Sequence, residues 1–154
     1  MTRVLGPDDW QAQPWRNGRG TTHEIWRDAD DYALRVSCAE VAASGPFSQF
    51  PGFRRWTFLL GPAPIRLGEH ELVKPGDHLE LPGDLALEAT VGEPTRLLNI
   101  LARHDLGVSV GYGLATHPVQ FVFALQPLAE LTRWHAIVLA PPARFERRTV
   151  IWIR

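Results

Sequence analysis

The sequence predicts an all-β protein, a sandwich or barrel of short antiparallel strands, from three observations. Ten short apolar runs follow one another along the chain: THEIW, YALRVSCAEV, WTFLL, IRLG, DHLEL, LALEATV, RLLNILA, VQFVFAL, HAIVLA and TVIWI. Between them stand SGPFSQFPGF, GPAP, KPGD, LPGD, VGEP and APPA, each with Pro or Gly placed to turn the chain. Thirteen glycines and thirteen prolines in 154 residues interrupt the backbone too often for long helices.

Taken in order, THEIW follows the permissive turn Asn17-Gly18 with β-branched and aromatic residues, as a hairpin strand does. YALRVSCAEV and RLLNILA alternate polar with apolar residues, and WTFLL is nearly all apolar, which suits strands covered on one or both faces. IRLG, DHLEL and LALEATV are short and close together between turn signals, with KPGD and LPGD on either side of DHLEL. VQFVFAL, HAIVLA and TVIWI are the three runs expected after Asp105. One helical turn is expected over Pro127 to Trp134, where Pro can open a helix and Leu128, Leu131 and Trp134 fall three apart.

The length suits one domain, residues 1–154, with no linker. Hydrophobic residues at 45% and charged residues at 21% are those of an ordinary folded protein. Net charge is −1, and the fifteen arginines are scattered among acids, so no nucleic-acid partner is expected. Cys38 is the single cysteine, which excludes an internal disulfide and a Cys-rich zinc site. The first twenty residues lack a secretory apolar run and no run reaches membrane-spanning length, so a cytoplasmic protein with no membrane partner is expected.

The chemistry-bearing residues fall in four places. Pro14 to Trp26 carries a tight loop in which the Trp15 plate stands beside the Asn17 amide, a way to hold a small polar ligand or simply a hairpin turn. Strand alternation puts Arg35 and Ser37 on one face, Arg55 with Thr57 and Leu59, and Asn99 with Leu97 and Leu101. If these faces converge, Arg35, Arg55 and Asn99 are costly to bury empty, and a ligand carboxylate would offset the desolvation. The alternative is that each arginine pairs with a protein acid such as Glu24 or Glu40. The six histidines form neither an HxH nor an HExxH pair, so no metal is expected, with His78 the one conceivable lone ligand. Cys38, with no positive neighbour on its face, is expected to be a packing residue. No GxSxG, Walker or Rossmann signature occurs.

The blocks WRNGRGTTHEI, LRVSCAEV, GPFSQFPGFRR and LNILAR, in this order over the first two thirds of the chain, resemble those of the HutD/Ves family. The resemblance implies a cupin-type antiparallel β-barrel or sandwich, a doubled cupin with little helix, in bacterial proteins linked to histidine utilisation or stress response and with no established catalytic activity. Matching family positions are Trp15, Asn17, Gly18, Gly20, Thr21, Thr22 and Glu24, then Arg35 and Ser37, then Phe47, Ser48, Phe50 and Arg55, and finally Asn99. Two positions depart: Leu98 stands where the family commonly has Asp, and Arg19 where the first block has a third glycine-like position. Residues 1–104 carry the family motifs, and 105–154 are expected to form a shortened second half.

These readings together expect a non-enzymatic cupin that binds a small acidic metabolite, such as the histidine-degradation intermediates urocanate or a formylated glutamate, in a regulatory or accessory role. The expected ligand-binding set is Trp15, Asn17, Thr22, Glu24, Arg35, Ser37, Ser48, Phe50, Arg55 and Asn99, with no catalytic residue, metal or cofactor. Two other classes compete: a metal-independent isomerase or hydrolase acting on a small carboxylate, which would need Glu24 or His78 as acid or base, and an interaction module whose strand edges pair with a partner or in a homodimer.

Overall fold

In the computed structural model, which describes residues 2–127, 132–145 and 150–154, every strand pairing recorded is antiparallel. The only helix among the described residues is a 3-10 turn at Pro7–Asp9. The helical turn expected over Pro127 to Trp134 falls largely outside the described residues. The chain divides into two compact units, residues 11–106 and residues 1–10 with 107–154.

Residues 11–106 form a two-layer sandwich. Its larger sheet has six strands: β2 (Gln11–Pro14), β3 (Gly20–Arg27), β4 (Leu34–Val41), β6 (Phe53–Gly61), β9 (His78–Pro82) and β11 (Thr95–Arg103). They lie side by side in the order β2-β3-β4-β11-β6-β9. The smaller sheet, in the order β5-β10-β7-β8, is built from β5 (Gly45–Pro46), β7 (Ile65–Leu67), β8 (His70–Leu72) and β10 (Glu88–Thr90). Ala39, Val41, Leu59 and Leu97 of the large sheet pack with Ile65, Leu67, Leu72 and Ala89 of the small one into a continuous core. Burying each such aliphatic side chain contributes about 1.5 to 3 kcal/mol. The opposite face of β4, β6 and β11 is buried too, with Val36, Cys38, Phe58, Leu98 and Ile100 all at 0% exposure. Burial on both faces is why these strands read as nearly unbroken apolar runs.

Residues 1–10 and 107–154 form a five-stranded sheet from β1 (Thr2–Leu5), β12 (Val110–Tyr112), β13 (Val119–Ala124), β14 (Ala136–Ala143) and β15 (Val150–Ile153). Val119, Val122, Ala124, Ile137 and Val150 are its core. Two expectations are corrected. Among the described residues four strands, not three, follow Asp105, because β12 carries too few apolar residues to show as a run. The sheets of 11–106 also do not close into a barrel, since β2 and β9 remain edges, so the sandwich form applies.

Candidate functional site

Strand register brings the polar residues of separate segments onto the inner face of the six-stranded sheet. Across β6, β11 and β4 one row runs Arg55, Leu101, Arg35, the next Thr57, Asn99, Ser37, and the third Leu59, Leu97, Ala39. The third row packs under the small sheet. Arg55, Leu101 and Arg35 of the first row, Asn99 and Ser37 of the second and Ala39 of the third border a cavity of about 60 Å³, whose remaining walls are Trp15, Thr22, Phe47, Ser48 and Phe50. One water needs roughly 10 to 15 Å³ on this measure, so the space takes several waters or the carboxylate end of a small molecule. Among the described residues no acid and no histidine lines it.

Arg55 is the central group. It is 3% exposed, donates to the Ser48 carbonyl oxygen, and lies 5.6 Å and 5.2 Å from the ring centres of Phe47 and Phe50. Among the described residues it has no carboxylate partner. Burial lowers its pKa to about 10, which still leaves it charged at neutral pH. Ring faces soften that cost, but an unpaired buried cation lined up on a cavity favours an anion there.

Around Arg55 the cavity offers donors. Thr57 Oγ1 donates to Asn99 Oδ1 at 2.7 Å, which leaves the Asn99 amide N–H groups for the cavity. Trp15 Nε1 donates to Thr22 Oγ1 at 2.8 Å and fixes the indole as a wall. Gly20 makes this wall possible, because a Cβ there would run into the Trp15 ring and the Glu40 carbonyl. Gly18 supplies the turn, with φ at 70°.

Arg35 has a different setting from Arg55. A bulge between Glu24 and Trp26 inserts one extra residue in β3, so Glu24 and Arg27 face the same way. Glu24 accepts from Arg27 Nε and Nη2 at 2.5 and 2.7 Å, and from Arg35 Nε at 2.9 Å. These contacts, the Arg27 hydrogen bond foremost, hold the Glu24 carboxyl below its usual range. Tyr32 lies under both guanidinium groups, 5.4 Å from Arg27 and 5.7 Å from Arg35.

Eight of the ten expected ligand residues thus line one cavity: Trp15, Thr22, Arg35, Ser37, Ser48, Phe50, Arg55 and Asn99. Two do not. Asn17 borders an adjoining outer groove, and Glu24 is occupied by two arginines behind the wall. Strand alternation also implied Leu101, two residues from Asn99, whereas Tyr32, the first residue of the expected run YALRVSCAEV, lies just before β4 (Leu34–Val41), where alternation does not place it. His78 is exposed, stacked on Phe58 and bonded to the Gly76 carbonyl, so it does not border this cavity. Among the described residues no three His, Cys, Asp or Glu side chains cluster as metal ligands. Cys38 is fully buried, and desolvation raises its thiol pKa to about 12. Native protein at pH 8 is therefore expected to resist iodoacetamide and to be labelled once unfolded, as mass spectrometry would read; prompt labelling of the native protein would contradict this.

The family model described as HutD matches residues 7–116, well over half of the chain. The chain belongs to the HutD family. A structure of HutD from Pseudomonas fluorescens SBW25, determined in a formate condition, superposes with a TM-score of 0.80 at 22% identity, covering 100% of this chain and 97% of that one. At that identity the likeness shows the fold alone. Protein Ves of Citrobacter koseri is 36% identical over 101 residues, 59% of this chain and 52% of the relative. An uncharacterized 21.2 kDa protein in the hutC 3′ region of Pseudomonas putida is 40% identical over 57 residues, 34% of this chain and 30% of the relative. The chain thus spans about a third to a half of the length of these two relatives. No helix among the described residues of this HutD-family chain is long and apolar enough to cross a membrane.

Proposed function

We propose that the cavity binds the carboxylate of a small acidic metabolite, in a regulatory or accessory rather than catalytic role, in the cytoplasm. The observation that supports this most is Arg55, buried and without a carboxylate partner among the described residues, at the wall of a cavity lined by donors. The carboxylate would accept from Arg55 and Asn99 in a site with little water, where charge-assisted bonds are strongest. Among the described residues the lining holds no carboxylate or histidine to act as general acid or base, which favours binding over turnover. The hutC-region relative and the HutD family membership support a ligand from histidine breakdown.

The test is a thermal-shift panel of formate, acetate and larger carboxylates, joined to mass spectrometry of small molecules that copurify. A ligand at one hundred times its Kd adds about 2.7 kcal/mol to stability, a readily measured rise in Tm. Stabilisation by carboxylates but not by matched amides or alcohols is the expected result. No stabilisation by any carboxylate, with nothing copurifying, would remove the reading.

A further inference from the structure

The two edges of the six-stranded sheet are not alike. At β2 the Trp15 N–H donates to the Gly20 carbonyl at 2.9 Å, which makes Trp15 and Gly20 a hydrogen-bonded pair and, by alternation, turns the peptide groups of Ala12 and Pro14 to the free edge. Pro14 has no N–H, so this edge is blunted against a further strand. At β9 the Leu59 N–H donates to the Asp77 carbonyl at 2.8 Å and the Gly83 N–H to the Phe53 carbonyl at 2.7 Å. The same alternation then directs the N–H and C=O groups of His78 and Glu80 outward, where no strand among the described residues pairs with them. Both residues are exposed.

What flanks β9 completes the surface. Val73 and Leu85 are the exposed large hydrophobics of residues 11–106, at 53% and 42% exposure, and they stand in the segments just before and just after this strand. Beside them Lys74 and Asp84 are exposed too, and among the described residues neither side chain makes a hydrogen bond or ion pair. A cation and an apolar residue thus precede the open edge, and an anion and an apolar residue follow it.

That pattern is complementary to itself under a two-fold axis. With the axis at Leu79, β9 pairs antiparallel with its own copy, His78 of each faces Glu80 of the other, and each such pair exchanges both of its backbone bonds. The same axis brings Lys74 of one copy beside Asp84 of the other, and Val73 beside Leu85. Neighbouring registers are worse. An axis at Glu80 sets carboxylate against carboxylate, an opposition that the half-exposed Arg54 bridge to each softens only in part. An axis at His78 leaves Glu80 facing Gly76, whose N–H already donates to the Leu59 carbonyl at 2.9 Å. We propose that this chain self-associates through the β9 edge into a two-fold dimer in which the two six-stranded sheets join. The dimer is independent of what the inner cavity binds.

The test is sedimentation equilibrium of the full chain. A junction of two short strands is a small interface, so a dimer Kd of about 10 to 100 µM is expected. Lys74→Glu and Asp84→Lys each set like charges together at both symmetric ends and should raise that Kd about 5- to 30-fold, whereas the double variant should return it to within about 2-fold of the native value. Lys74 is the single lysine of the chain, so carbodiimide coupling in a mixture of isotopically light and heavy protein should link Lys74 of one copy to Asp84 of the other, as mass spectrometry would read. A chain still monomeric at about 500 µM, a dimer that the single reversals leave intact, or one that the double reversal fails to restore overturns the inference.

Discussion

Arg55→Ala is expected to lower the affinity for small carboxylates by about 30- to 1000-fold, equivalent to roughly 2 to 4 kcal/mol, while the fold survives. The magnitude follows from burial: a charge-assisted pair formed out of water loses its whole attraction when the cation is removed. Survival of the fold follows from what Arg55 lacks. It has no carboxylate partner among the described residues, and its recorded hydrogen bond is to the carbonyl of Ser48, a residue that water can reach. Burial also depresses the Arg55 pKa to about 10, so the charged form weakens the empty fold at every pH below that value. Arg55→Met, which keeps the bulk and removes the charge, should therefore leave the ligand-free Tm unchanged or raise it. Calorimetric titration with formate and thermal unfolding of both variants check the claim together. A large fall in Tm for Arg55→Met, with affinity intact, would make Arg55 a structural group.

The two arginines on this face illustrate how far residue type alone carries a reading. Alternation set Arg35 and Arg55 each on a face of its own strand and left open whether the two faces meet; the register brings them to either side of Leu101 in one sheet. Their electrostatic settings are opposite, however. Arg35 has Glu24 at 2.9 Å, whereas Arg55 faces the cavity with aromatic rings beside it. What separates them is the bulge that turns Glu24 and Arg27 to one side, a single-residue irregularity with no mark in the pattern of apolar residues.

All ten apolar runs became strands, and the strands that left no run in the sequence are β1, β2, β5, β8 and β12. Each of these lies at the edge of its sheet. An edge strand has one neighbour and often no buried face, so it needs no run of apolar residues: β2 is Gln-Ala-Gln-Pro, exposed throughout. The interior of the sheets was therefore legible, and of their borders only β9, which carries the run DHLEL, was. The same holds for the site, where residues on central strands could be grouped by alternation. Asn17, at a loop tip, was expected among the ligand residues on the loop at the pocket mouth, and it borders the adjoining outer groove.

The second large effect concerns Glu24→Gln, which is expected to cost about 3 kcal/mol and to lower Tm by roughly 6 to 12 °C. Glu24 and Arg35 are both nearly buried, with side chains 10% and 11% exposed, so removing the carboxylate strands a cation with little water to take its place. The Arg27 arm adds little, because that side chain is 36% exposed and regains solvent when released. The pH dependence has a definite sign. Arg27 and Arg35 hold the folded-state pKa of Glu24 below its unfolded value of about 4.3, so the stabilisation is fully present above that value. It is lost as pH falls through the folded-state pKa. The gap between native protein and Glu24→Gln should accordingly be constant from neutral pH down to about 5 and close in stronger acid. Arg35→Ala in the same background should recover most of the loss, since it removes the stranded charge. With Glu24 neutral, Arg35 becomes a second uncompensated cation at the cavity wall, so saturating formate should stabilise Glu24→Gln more than it stabilises the native protein. Thermal unfolding over this pH range, with and without formate, reads all three effects; a Glu24→Gln shift of less than about 2 °C at neutral pH would show that water reaches Arg35 and that the pair contributes little.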